Sequence, residues 1–137
     1  MVSLKTHNIL DYVAGVMLLL SPFLFGFGDV TVARNVFMMS GFFLVLYSLF
    51  TNYDYAVLRV IPLGVHMSMD VLLGVFLMIA PWVLNYRVFL TSGQEYLHYI
   101  LGVGVIGLVG LTREKTETDK VEHGLRIEPR QHAAGRI

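Results

Sequence analysis

The chain has 137 residues, ten Lys/Arg against ten Asp/Glu, and no cysteine. This balance lacks the basic stripe that nucleic-acid phosphates require, so no nucleic-acid partner is expected. The missing thiols exclude disulfides, thiolate catalysis and cysteine-held clusters. Hydrophobic residues make up 55% and charged residues only 15%, against about 25% charged in soluble domains. Such a chain is too poor in charge to cover every helix with a polar face, and it reads as an all-α membrane protein with the lipid bilayer as its solvent.

A hydrocarbon core about 30 Å thick takes roughly 20 apolar residues in a helix. Four segments qualify, at about residues 9–27, 33–50, 61–84 and 96–111. No basic cluster or small-x-small cleavage site marks the first as a signal peptide, so it is expected to stay as a span. Gly26, Gly28 and Asp29 end it, and Thr51-Asn52-Tyr53-Asp54 ends the second. Pro62 suits the first turn of the third, and Ser92 with Glu95 fits a capping box opening the fourth. Residues 1–112 thus form a four-helix transmembrane domain. Residues 113–137, which hold six of the ten cations, form a charged tail whose first turns would extend the fourth helix to about Gly124.

The cations set an expected orientation. The N-terminus, the middle loop and the tail share one side and carry Lys5, Arg59, Arg113 and Lys115, whereas the other side has Arg34 and Arg87. The positive-inside rule puts both termini in the cytoplasm. Trp82, Tyr86, Tyr96 and Tyr99 would then form an outer aromatic belt, with Tyr47, Tyr53 and Tyr55 near the inner face.

One apolar helix is written twice. His7, Asp11, Gly15, Val16, Leu18 and Pro22 recur 59 positions later as His66, Asp70, Gly74, Val75, Leu77 and Pro81. Asn35 and Gly41 line up with His98 and Gly104 if the second outer loop is four residues longer. The copies, about 7–50 and 66–112, make two tandem helical hairpins related by pseudo-twofold symmetry along the membrane normal. The prolines should kink or stop their helices and turn the chain into the outer loops. The alternative is a freed carbonyl lining a site.

Ser21-Pro22-Phe23 and Ala80-Pro81-Trp82 therefore end parallel apolar helices in a duplicated hairpin. This resembles the SPW-repeat family of small bacterial integral membrane proteins, named for a Ser-Pro-Trp motif late in the first helix of each repeat. The first copy lacks the tryptophan and the second the serine. The resemblance implies a multi-pass protein of the bacterial inner (cytoplasmic) membrane, and it carries no catalytic residue.

At 100° per residue, His7, Asp11, Gly15 and Pro22 share one helix face, as do their counterparts. Two parallel stripes at one depth can meet, and intramembrane Asp and His face protein or water. His7, Asp11, His66 and Asp70 are the candidate ligands for Zn²⁺, Mn²⁺ or Fe²⁺. The two histidines could instead hold a haem, with Gly15 and Gly74 making room for the porphyrin, or the cluster could pass protons or ions. The plainer reading is that each His bonds its own Asp four residues on, while glycine permits close helix contact. This favours a structural or interaction role without a cofactor, as a homo-oligomer or part of a larger membrane assembly.

Gly102, Gly104 and Gly107 fit a dinucleotide-loop pattern but lie inside an apolar span with no βαβ unit, so they read as helix-packing positions. His98 lies at the opposite end from His7 and His66 and reads as an interfacial polar residue. His123 and His132 in the tail have no metal-site spacing. No nucleophilic triad is present, and no enzyme activity is expected.

Overall fold

The structure is a computed structural model of the chain, and residues 1–52 and 54–112 are described. It contains four α-helices, α1 (Leu4–Leu24), α2 (Thr31–Phe50), α3 (Leu63–Val83) and α4 (Ser92–Leu111), with a 3₁₀ turn at Arg87–Phe89 before the last. Each has 20 or 21 residues and is apolar enough to cross a membrane, since about 1.5 Å of rise per residue gives roughly 30 Å. The tail, with the expected helix extension toward Gly124 and with His123 and His132, lies outside the described residues, as does Tyr53.

Helix boundaries follow from capping chemistry. Ser3 accepts from the Thr6 N–H and starts α1 five residues before the apolar run, which places His7 a full turn inside the helix. Pro62 stands just ahead of α3 as its N-cap. The capping box of α4 is Thr91 with Gln94, one residue before the expected Ser92 and Glu95. Glu95 has other partners, because its carboxylate takes hydrogen bonds from Arg87 and the Tyr99 hydroxyl.

Both prolines lie near the ends of their helices, and the stop has a definite mechanism. Proline cannot donate, but its carbonyl can still accept. Phe27 N–H reaches Pro22 O at 2.9 Å and Tyr86 N–H reaches Pro81 O at 3.2 Å. These are Schellman closures, and they need a left-handed residue just before the donor. Gly26 (φ 70°) and Asn85 (φ 54°) supply it. Phe23 and Trp82 project outward and are exposed, with Arg87 stacked over the Trp82 ring at 4.1 Å.

Within each hairpin the helices touch backbone to backbone. A Cβ on Gly41 would stand 2.5 Å from Gly15 O, and one on Gly102 would stand 2.5 Å from Gly74 O. Gly102, and not Gly104, thus repeats the contact of Gly41. The connection between α3 and α4 is two residues longer than that between α1 and α2, where four were expected. Gly104 and Gly107 face open space, so of that glycine series only Gly102 and the packing role expected of it coincide. The space beside Gly15 and Gly74 is filled by α2 and α4.

Away from the termini, Phe27, Phe37, Tyr86 and His98 form a fully buried layer. Phe37 meets Phe27 and His98 edge to face, with ring centres 4.9 and 4.6 Å away. His98 Nδ1–H donates to Gln94 O, which leaves Nε2 to accept from the Tyr86 hydroxyl at 2.9 Å. Burial pushes that hydroxyl well above its ordinary pKa. Tyr86 and His98 are therefore core residues, and Tyr86 is absent from the aromatic belt expected of it.

Candidate functional site

His7 and Asp11 on α1 and His66 and Asp70 on α3 stand four residues apart, so each pair projects from one helical face. All four are at most 3% exposed. They converge on one centre near the ends of the helices that lie on the side of the N-terminus. His7 Nε2 is 3.2 Å from Asp70 Oδ2 and 3.4 Å from Asp11 Oδ1. His66 Nε2 is 3.1 Å from Asp11 Oδ2 and 3.2 Å from Asp70 Oδ2. Each nitrogen is shared between two carboxylates, one from its own helix and one from the other hairpin. The expected pairing within each helix is present, but it is joined by cross-hairpin contacts that are at least as short.

The opposite edge of each imidazole is also held from across the molecule. His7 Nδ1 lies 2.6 Å from Thr112 Oγ1 at the end of α4, and His66 Nδ1 lies 2.8 Å from Thr51 Oγ1 at the end of α2. Backbone bridges pin those threonines in place: Val2 pairs with Thr112, and Ile61 pairs with Thr51. The extended residues leading into α1 and α3 thus fasten the far ends of α4 and α2 beside the histidines.

Tyr47 on α2 makes a third connection, donating its hydroxyl to Asp70 Oδ1 at 2.6 Å. Its ring meets that of His66 edge to face at 4.9 Å. It is buried, and so belongs to the site and not to the inner aromatic belt. Thr51, Thr112 and Tyr47 are the residues that sequence reasoning missed as part of the site. A signal existed for Thr112, the first polar residue after the apolar run of residues 100–111.

The SPW repeat domain matches residues 5–113, which takes in all four helices but for the first residue of α1, and the whole quartet. The chain belongs to the SPW repeat family. No curated protein and no solved structure matches it. With four apolar spans it is a multi-pass membrane protein. In this SPW repeat protein the signature tripeptides stand at the far end of α1 and α3 from the quartet, where they close the helices and do not line the site. His98 is likewise remote from it, in the aromatic layer.

Proposed function

We propose that the chain is a non-enzymatic membrane protein with a structural or interaction role, in which the His7–Asp11–His66–Asp70 quartet clamps two tandem hairpins together. The observation that supports this is the crossing of partners. Each histidine contacts a carboxylate and a threonine from the other hairpin. Lipid supplies no hydrophobic force between helices, so polar contacts and close packing must hold a membrane bundle together. Close packing does this inside each hairpin through the glycines, and the quartet does it between them.

The repeated Gly–Gly and His–Thr contacts favour an internal duplication with a pseudo-twofold axis along the membrane normal. The cation distribution favours cytoplasmic termini, and the family resemblance favours the bacterial inner membrane. An exposed apolar surface suits lipid, a second copy of the chain, or a larger assembly.

Limited proteolysis of the full chain in mild detergent tests the clamp. In His66→Ala and Asp11→Ala, cleavage in the loop between α2 and α3 should accelerate while circular dichroism still reports full helix content. Cleavage at the wild-type rate in both variants would dismiss the clamp.

A further inference from the structure

The hydrogen bonds around the quartet leave a charge to be accounted for. A threonine hydroxyl carries one hydrogen, and here it goes to a carbonyl: Thr51 to Tyr47 O at 2.6 Å, Thr112 to Leu108 O at 2.7 Å. Each threonine oxygen must therefore accept from the histidine beside it, so Nδ1 carries the imidazole hydrogen on both His7 and His66. A neutral imidazole then presents a lone pair at Nε2. Both lone pairs face carboxylate oxygens 3.1–3.4 Å away. Two carboxylates and two lone pairs directed at one another inside an apolar bundle are mutually repulsive, and they carry a net charge of two that low-dielectric surroundings do not tolerate. The centre needs two positive charges.

We propose that one divalent first-row transition-metal ion supplies them, bound by Nε2 of His7 and His66 and by one oxygen each of Asp11 and Asp70. This rests on the clamp reading, with the ion as the element that closes the clamp. The four ligand atoms lie within 4.8 Å of one another. Through Asp11 Oδ2 and Asp70 Oδ2 three nitrogen–oxygen edges measure 3.1–3.2 Å, while His7 Nε2 meets Asp11 through its other oxygen, Oδ1, at 3.4 Å. A four-coordinate ion with bonds of about 2.0–2.2 Å has ligand–ligand edges of about 3.3–3.6 Å, slightly longer than these three edges. Two imidazolium protons would instead draw N–H···O pairs toward about 2.7–2.9 Å, shorter than the 3.1–3.4 Å present.

The surroundings match what metal ligands require. A ligating histidine is oriented by a hydrogen bond from its other nitrogen, and a ligating carboxylate is itself hydrogen-bonded. Thr51 and Thr112 provide the first, and the Tyr47 hydroxyl on Asp70 Oδ1 provides the second, leaving Oδ2 toward the centre. Two nitrogens and two carboxylates without sulfur suit Zn²⁺, Fe²⁺ or Mn²⁺ better than soft Cu(I), and offer too few oxygens for Ca²⁺. Gly15 and Gly74, packed on α2 and α4, leave no porphyrin slot between the histidines.

The test is elemental analysis of the full chain purified in mild detergent, followed by chelation and reloading with Zn²⁺ or Co²⁺. The expected result is about one ion per chain, with ligand-field bands from the Co²⁺ form that added Zn²⁺ abolishes. Asp70→Asn and His66→Gln should lose the ion, while His123→Ala with His132→Ala in the tail should keep it. Thr51→Val and Thr112→Val leave the ligands in place and should weaken Zn²⁺ binding roughly 10- to 100-fold. A helical chain that takes up neither ion overturns the proposal, and so does binding that survives in the Asp70→Asn and His66→Gln variants. If no ion binds, yet His66→Ala and Asp11→Ala still accelerate loop cleavage, the clamp stands and only the metal falls.

Discussion

His7 Nε2 lies 3.2 Å from Asp70 Oδ2 on α3 and 3.4 Å from Asp11 on its own helix. A histidine four residues before an aspartate is therefore tied to the other hairpin at least as closely as to its own. Removing one member leaves buried polar partners unmatched, which costs about 1–3 kcal/mol for each stranded group. A double-mutant cycle on unfolding in detergent should give His7 and Asp70 a coupling of about 1 kcal/mol or more. Strict additivity of His7→Ala and Asp70→Ala would contradict the cross-hairpin contact.

The two carboxylates are not equivalent, because Asp70 alone is shown accepting from Tyr47. A hydrogen bond to a charged group contributes about 1.5–3 kcal/mol. Tyr47→Phe should destabilise the chain by an amount in this range. The loss should largely disappear when the substitution is made in an Asp70→Asn background. Equal losses in both backgrounds would show that the hydroxyl acts elsewhere.

Glycines that look alike in the sequence should respond in opposite ways. Gly41→Val and Gly102→Val drive a side chain into a facing carbonyl and should separate the helices of one hairpin. Gly104→Ala meets open space and should be neutral or stabilising, by up to about 1 kcal/mol from helix propensity. Asn85→Gly should also stabilise, by a few tenths of a kcal/mol, since φ is positive there. Thermal unfolding of the four variants checks the ranking.

In the aromatic layer, Tyr86 and His98 take the places that Phe27 and Phe37 take in the first hairpin. Losing one partner of the Tyr86–His98 hydrogen bond strands the other, at about 1–3 kcal/mol, whereas replacing both by apolar rings can be nearly neutral. Tyr86→Phe and His98→Phe should each destabilise, and the double variant should recover most of the loss. A double variant as unstable as the sum of the two would remove this explanation.

Burial raises the Tyr86 pKa above its ordinary value of 10.0. The folded state thus holds this proton more tightly than the unfolded chain does. The associated stability is fully present below pH 10 and is lost as pH climbs toward the folded-state value. In spectrophotometric titration the late-ionising phase should lose the amplitude of one tyrosine in Tyr86→Phe.

Much of the architecture was legible because lipid imposes a simple rule, that backbone polar groups bond within their own segment. Length and apolarity then located the spans, and His-x3-Asp spacing placed four residues on two faces. The proline with glycine or asparagine four positions later recorded the helix stop. Less legible were contacts that depend on register between helices. Gly102 and Gly104 are equally small, and Ser92–Glu95 and Thr91–Gln94 are equally good boxes. Only the rotation of α4 against α3, and the engagement of Glu95 by Arg87 and Tyr99, separates them.

Sequence alone determined four apolar helices, a repeated polar stripe and the ends of the first and third spans, since each depends on local composition and period. Only the tertiary structure decided that the stripes meet, that Thr51, Thr112 and Tyr47 surround them, and that Tyr86 and His98 turn inward. Those outcomes depend on which helix faces which and at what height. Glycine contacts between backbones, and pairing of the residues that lead into α1 and α3, set both.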